Sequence, residues 1–215
     1  MKKALITGAS SGLGLEVGKL LQNKDVKVIN LSRSKSSFED ISLDLTSDES
    51  INDAIELIRK KHFDFDVLIL NSGIMPVSKI GELDFDVEDM FKVNIIGTIK
   101  LVNGLTDLIK QNKCDVVLVG STDSFKASEG HSAYSSSKHA VEGFVKSLQL
   151  EMKKELVRVI GFHPGGFNSN LRGGITKKGY MDPEYLAKIM VQILELPKVM
   201  EVSNIIINRK RVTFE

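Results

Sequence analysis

The sequence predicts a doubly wound parallel α/β sheet of about seven strands with helices on both faces, folded as one domain over residues 1–215. Three observations carry this expectation. Short apolar runs alternate with segments whose apolar residues recur at helical spacing, the pattern of successive βαβ units. The first run, Ala4, Leu5, Ile6, leads into the turn TGASSGLG, whose Gly8, Gly12 and Gly14 stand where a buried strand should become a helix. Later apolar runs also end in small polar residues and glycine, at Asn71 to Gly73, at Gly120 to Thr122 and at Pro164 to Gly166. Open α/β sheets bind their ligands at the carboxyl ends of the strands.

Composition narrows the partners. With 29 Lys plus Arg against 28 Asp plus Glu, a net charge of +1 offers no broad field to attract nucleic acid or an anionic membrane, and a small-molecule partner is expected. The one cysteine, Cys114, cannot close an internal disulfide, and the N-terminus lacks the apolar region of a signal peptide, so a cytoplasmic setting is expected. No apolar run approaches the roughly 20 residues that span a bilayer, and no repeat is visible.

The elements follow in order. After the glycine turn, Leu13, Val17, Leu20 and Leu21 keep helical spacing, Asn23 to Asp25 break it, and Val26 to Leu31 reads as a second strand. Such a turn brings backbone amides and the positive end of a helix dipole to a pyrophosphate, although the spacing here is GxxxGxG and not GxGxxG. The residue after the second strand meets the adenosine ribose, where an acid binds the 2′-hydroxyl and a basic residue accommodates a 2′-phosphate. Here the strand ends in Ser32 and Arg33, which points to NADP(H) over NAD; the bland alternative is a solvated turn arginine. A short third strand is expected over Ile41 to Leu45, followed by a helix capped by Thr46 or Ser47 and bearing Ile51, Ile55 and Ile58. Asp44 then lies at a strand end, placed to accept from an adenine amino group.

Asp66 to Leu70 is an apolar fourth strand running into Asn71, Ser72, Gly73. Phe91 through Leu108 reads as one long helix containing Asn94, a polar residue that carries little weight alone. Val116 to Val119 is a fifth strand, ending at Ser121. Tyr134 and Lys138 then stand four apart, on one helix face one turn from each other. Strands at Arg158 to Phe162 and Ile205 to Ile207 flank a helix over Pro183 to Leu196, and residues 167–180 form the one long irregular stretch.

With these motifs in view, the chain resembles the short-chain dehydrogenase/reductase family from about residue 3 to about residue 208, because the TGxxxGxG turn, Asn94, the Ser121-to-Tyr134 interval, the YxxxK pair and the following Pro164 and Gly165 all occur in that family's order. The resemblance implies a Rossmann-like fold and an enzyme that interconverts a carbonyl and an alcohol. It also implies roles. Ser121 would orient the substrate carbonyl, Tyr134 would act as general acid or base, Lys138 would hold the nicotinamide ribose and lower the tyrosine pKa, and Asn94 would support a proton-relay water. Gly8, Ser10, Ser11, Gly12, Leu13 and Gly14 map onto the phosphate turn. Ser32, Arg33, Asp44, Leu45, Asn71, Ser72 and Gly73 map onto the adenosine side, and Pro164, Gly165, Phe167 and Ser169 onto the nicotinamide side, together with Tyr134 and Lys138. Ser72 stands where the family usually has alanine, and Ser169 where it commonly has threonine. The family also favours a homodimer or homotetramer, here through the two helices bearing Asn94 and Lys138, whose Ile95, Ile99, Val102, Val141, Phe144, Val145 and Leu148 exceed one sheet-facing stripe.

Elementary chemistry agrees with the borrowed roles. A free tyrosine titrates near about 10, so it needs a nearby cation to exchange protons at neutral pH. No metal is called for, since His62, His131, His139 and His163 show no ligand spacing and read as surface or satisfied histidines. The competing reading is a dinucleotide-binding sensor or regulatory protein without turnover, for which a proton donor has no use. A phosphate-loop NTPase is disfavoured by the missing lysine and hydroxyl residue after the last glycine.

Overall fold

The computed structural model describes residues 1–169 and 178–210. The first strand, β1 (Lys3–Thr7), is buried from Ala4 onward and lies between β2 (Lys27–Leu31) and β4 (Val67–Leu70). β3 (Glu39–Ile41) pairs with β2 at one edge, while β5 (Asp115–Val119), β6 (Arg158–Pro164) and β7 (Asn204–Ile207) extend the sheet from β4. The result is a parallel seven-stranded sheet in the order β3-β2-β1-β4-β5-β6-β7. The strands read as continuous apolar runs because both faces are covered.

Successive strand residues supply opposite cores. Leu5, Leu68 and Val116 face α2 (Asp48–Lys61), α4 (Gly97–Gln111) and α5 (Ser132–Met152), whereas Ile6, Ile69 and Val117 face α1 (Gly12–Gln22) and α6 (Pro183–Leu194). Each such aliphatic side chain contributes about 1.5–3 kcal/mol relative to leaving it in water. The chain crosses from one side of β1 to the other between β3 and β4, which opens a crevice at the carboxyl ends of β1 and β4, where Thr7 pairs with Leu70. That is the switch point at which a doubly wound sheet binds ligands. Among the described residues, no helix is long and apolar enough to cross a membrane.

Two elements differ from the sequence expectation. The third strand is Glu39–Ile41, not Ile41 to Leu45, because Asp44 turns the chain: its carboxylate accepts from the Thr46 amide at 2.9 Å while its own amide donates to Ser50 Oγ at 2.9 Å. Leu43 and Leu45 stay buried beyond the ladder. Of the two expected cap residues, Ser47 caps α2, its hydroxyl accepting from the Ser50 amide at 3.2 Å. The expected single helix over Phe91 to Leu108 is a composite of α3 (Val87–Phe91), a π-helical turn at Lys92–Ile96 and α4. In the irregular stretch, Phe167 bridges to Met181, and residues 170–177 lie outside the described residues.

Candidate active site

The glycine turn is held from both sides of β1. Gly8 and Gly12 have φ of +70° and +56°, conformations that side chains disfavour. At Gly14 the constraint is space, since a Cβ there would stand 2.6 Å from the Gly8 carbonyl oxygen and 2.6 Å from Asn71 Nδ2. Asn30, fully buried in β2, accepts from the Ala9 amide at 2.8 Å and donates to Asp40 Oδ1 at 2.8 Å. Thr7 Oγ1 accepts from the amides of Asn71 and Ser72, both at 2.9 Å, and Asn71 Nδ2 donates to the carbonyls of Thr7 and Gly8. Neither Thr7 nor Asn30 was expected at the site. A polar residue inside the apolar run of β2 was the available signal for Asn30.

The amino end of α1 is open to an anion. Its N-cap, Ser11, makes no side-chain capping bond, and its first turn holds no acidic residue, so the orphan amides and the dipole are directed at the crevice. This cradle, which a Cβ at Gly14 would distort, fits a dinucleotide pyrophosphate.

The second half of the site comes from β5 and α5. Ser121 follows β5 in extended conformation, and its hydroxyl accepts from the Asp123 amide at 3.1 Å. Tyr134 and Lys138 lie one turn apart on the buried face of α5, with Lys138 Nζ 5.9 Å from the centre of the tyrosine ring. Lys138 Nζ donates to the Val119 carbonyl at 3.2 Å. Burial lowers its ammonium pKa to about 8. Gly73 permits the convergence, because a Cβ there would stand 3.3 Å from Asn94 Oδ1 and 3.4 Å from Lys138 Nζ.

Asn94 sits in the π turn, a distortion frequent at functional sites. Its side chain clamps the strand-end loop, accepting from the Ile74 amide at 2.8 Å and donating to the Ile74 carbonyl at 3.0 Å and Ser137 Oγ at 3.0 Å. Ser137 in turn donates to the Tyr134 carbonyl at 2.7 Å.

At the adenosine end, Arg33 is well exposed, with Nη1 3.9 Å from Asp44 Oδ2. The Asp44 carboxyl is held below the usual carboxylate range by the backbone and side-chain hydrogen bonds from Thr46, with the nearby guanidinium adding to the effect.

One cleft of about 1090 Å³ joins the two halves. It is lined by Gly8, Ser10, Ser11, Gly12 and Leu13 from the turn, and by Ser32, Arg33, Asp44 and Leu45 from the β2 side. Asn71, Ser72 and Gly73 form its floor with Ser121, Tyr134 and Lys138, and Pro164, Gly165, Phe167 and Ser169 complete the other wall. Two sequence candidates do not line it: Gly14 packs beneath the turn, and Asn94 lies behind Gly73, nearly inaccessible. Asp123 and His131 do line it, within the stretch 123–132 that the sequence places at the substrate pocket, although neither is named there as a site residue.

The chain matches the family model described as short chain dehydrogenase over residues 2–179. An uncharacterized oxidoreductase of Staphylococcus saprophyticus is 29% identical over 225 residues, covering 95% of each chain. Among solved structures, an alcohol dehydrogenase from the archaeon Thermococcus sibiricus complexed with 5-hydroxy-NADP superposes with a TM-score of 0.91 over 100% of each chain at 23% identity. A short chain dehydrogenase family protein from Francisella tularensis gives a TM-score of 0.84 over 97% of each chain at 26% identity. The model match spans the glycine turn, the Asn71 to Gly73 loop, Ser121, Tyr134 and Lys138 in one stretch, and the protein belongs to the short-chain dehydrogenase family of NAD(P)-dependent oxidoreductases.

Proposed function

We propose that the protein is an NADP(H)-dependent oxidoreductase that interconverts a carbonyl and an alcohol on a small-molecule substrate, with Tyr134 as general acid/base. The observation that carries this reading is the single cleft shared by the glycine turn and by Ser121, Tyr134 and Lys138. When bound, the nicotinamide supplies or accepts the hydride. The chain's own residues position the substrate and move the proton. The Ser121 hydroxyl, whose oxygen already accepts from Asp123, is free to donate to a carbonyl oxygen, and Tyr134 gives that oxygen its proton in the reducing direction. Lys138 favours the phenolate by its charge and carries two further N–H groups for the ribose and the phenol. Asn94 supports the relay by fixing the Ile74 loop and, through Ser137, the Tyr134 backbone. A sensor without turnover gains nothing from this set.

The pH dependence has a definite sign. Lys138 serves as a cation and its pKa is about 8, so kcat/KM in the reducing direction should fall as pH rises through about 8. A pH profile flat from 7 to 9 would remove Lys138 from the reaction.

Cofactor choice rests on Arg33. Its 3.9 Å separation from Asp44 exceeds a direct hydrogen bond, which leaves the guanidinium able to turn toward a 2′-phosphate. NADPH is expected to bind at least tenfold more tightly than NADH, about 1.4 kcal/mol, and Arg33→Ala should erase the difference. Fluorescence titration of both cofactors reads this directly, and equal affinities in the parent protein would end the assignment.

A homodimer or homotetramer built on α4 and α5 is part of the same proposal. Ile95, Val102, Val141, Val145 and Leu148 are buried in this chain's own core, so the outward apolar surface there rests on Ile96, Ile99 and Leu150, all exposed, with Phe144 half-buried. Light scattering at micromolar concentration with NADPH should give a multiple of the 23.8 kDa chain mass, and a monomeric mass would contradict it.

A further inference from the structure

Beside the reacting groups stands a polar pair that the reaction so far leaves unused. Asp123 lies in the 3₁₀ turn Thr122–Ser124 immediately after Ser121, and His131 precedes α5, three residues before Tyr134. His131 Nδ1 donates to Asp123 Oδ2 at 2.7 Å. A carboxylate only accepts, so this bond places the ring proton on Nδ1 and leaves Nε2 of the neutral ring as a lone-pair acceptor. The imidazole stands edge-on to the Tyr134 ring, 85° between planes and 6.1 Å between centres, and both rings line the cleft. The side chain of Asp123 is 11% exposed and that of His131 23%, as expected for a buried anchor and a partly accessible tip.

We infer that His131, held by Asp123, is a specificity-determining residue that accepts a hydrogen bond from a substrate hydroxyl on the carbon next to the reacting carbonyl. The preferred substrates are then α-hydroxycarbonyl compounds and the vicinal diols they form. This rests on the oxidoreductase reading above. Ser121 and Tyr134 are both donors to the carbonyl oxygen, so an acceptor beside them has no partner on that oxygen and needs a donor elsewhere on the substrate. A hydroxyl on the neighbouring carbon supplies it. A carboxylate does not fit as well beside the imidazole, because the Asp123 carboxylate already touches that ring and would repel a second one. Asp123 is the positioning residue: its amide donates to Ser121 Oγ at 3.1 Å while its carboxylate orients the ring, which ties the second contact to the first.

Hydroxyacetone and butanone differ by a hydroxyl in place of a methyl on the carbon beside the carbonyl, and they make the test. In the parent protein kcat/KM with NADPH should favour hydroxyacetone at least tenfold. His131→Phe should reduce that ratio at least tenfold, and His131→Gln, which retains an acceptor, should restore part of it. If the pair were only a staple between the turn and α5, His131→Phe would lower the melting temperature and slow both ketones equally, which overturns the proposal. Binding without turnover gives a separate readout. In the NADPH complex, propane-1,2-diol should shift the His131 ring nitrogen resonances, assigned by their loss in His131→Gln, and butan-2-ol should not. A diol-specific shift with no ketone reduced would keep the hydroxyl site and refute the oxidoreductase reading. Equal shifts, or none, with the two alcohols would refute the hydroxyl site.

Discussion

Tyr134→Phe is expected to lower turnover by at least two orders of magnitude while leaving NADPH affinity within about twofold of the parent, because general acid catalysis contributes about 10² to 10⁴ in rate. The substitution removes one oxygen and keeps the ring that packs, 6% exposed, on the inner face of α5. Lys138→Met should damage both quantities. Its ammonium, fully buried near the phenol and bonded to the Val119 carbonyl, is assigned to the cofactor as well as to the proton. The pair of variants discriminates where either alone does not. A lysine that merely staples α5 to β5 would lower stability and spare the kinetics of the folded fraction, and a tyrosine that merely fills space would be replaced by phenylalanine without loss. Steady-state rates with a reducible ketone, combined with cofactor titration, read both. Turnover of Tyr134→Phe within threefold of the parent would mean that the proton comes from elsewhere, and the catalytic assignment would fall even with the fold and family intact.

What was legible in the sequence is what local geometry encodes. Gly8, Gly12 and Gly14 announce a strand-to-helix turn because their constraint acts within a few residues, and the spacing of Tyr134 and Lys138 fixes their common helix face. What was hidden depends on register across the sheet. Ala9 meets Asn30 because β1 and β2 pair in parallel with Ile6 opposite Asn30, and Thr7 caps the Asn71 loop because β1 ends beside β4. No spacing in the chain states either contact. The π turn was equally hidden, since one extra residue in a helix leaves the surrounding apolar periodicity intact; its consequence is that Asn94 points into the protein and not into water. Asp123 and His131 meet across a turn whose path the sequence does not specify, so the histidine reads there only as a surface or satisfied one. The end of the third strand was misplaced because Leu43 and Leu45 alternate like strand residues and are buried like them, while the hydrogen bonds of Asp44 take the backbone out of the ladder.

The largest stability effect is expected at the opposite end of the sheet from the cleft. Asp115 and Arg158 are the first residues of β5 and β6 and pair directly in the ladder, with side chains 3% and 4% exposed. The guanidinium bonds the carboxylate through two of its nitrogens, Nε to Oδ1 at 3.1 Å and Nη2 to Oδ2 at 2.8 Å, and also donates to the carbonyls of Leu194, the last residue of α6, and Leu196 beyond it. Taking such charges out of water costs several kcal/mol per ion, so the intact pair need not stabilise the fold relative to an apolar pair; breaking it costs about 3–5 kcal/mol, because one charge stays buried without its partner. Arg158→Met should therefore destabilise the protein by about that amount, lowering the melting temperature by about 10 °C for a domain of this size. Lys198, whose Nζ reaches Asp115 Oδ1 at 2.5 Å from a half-exposed position, sets which end of the range is observed. The double replacement Asp115→Leu with Arg158→Met should recover most of the loss, since no uncompensated charge remains. Urea denaturation of both variants, alongside NADPH titration of their folded fractions, separates this from a catalytic effect: affinity should hold while stability falls, because the pair sits at the amino ends of strands whose carboxyl ends carry Ser121 and Pro164. A loss below 1 kcal/mol for Arg158→Met would show that Lys198 and water neutralise Asp115 unaided, and that β5 and β6 are held in register by their backbone ladder and apolar faces alone.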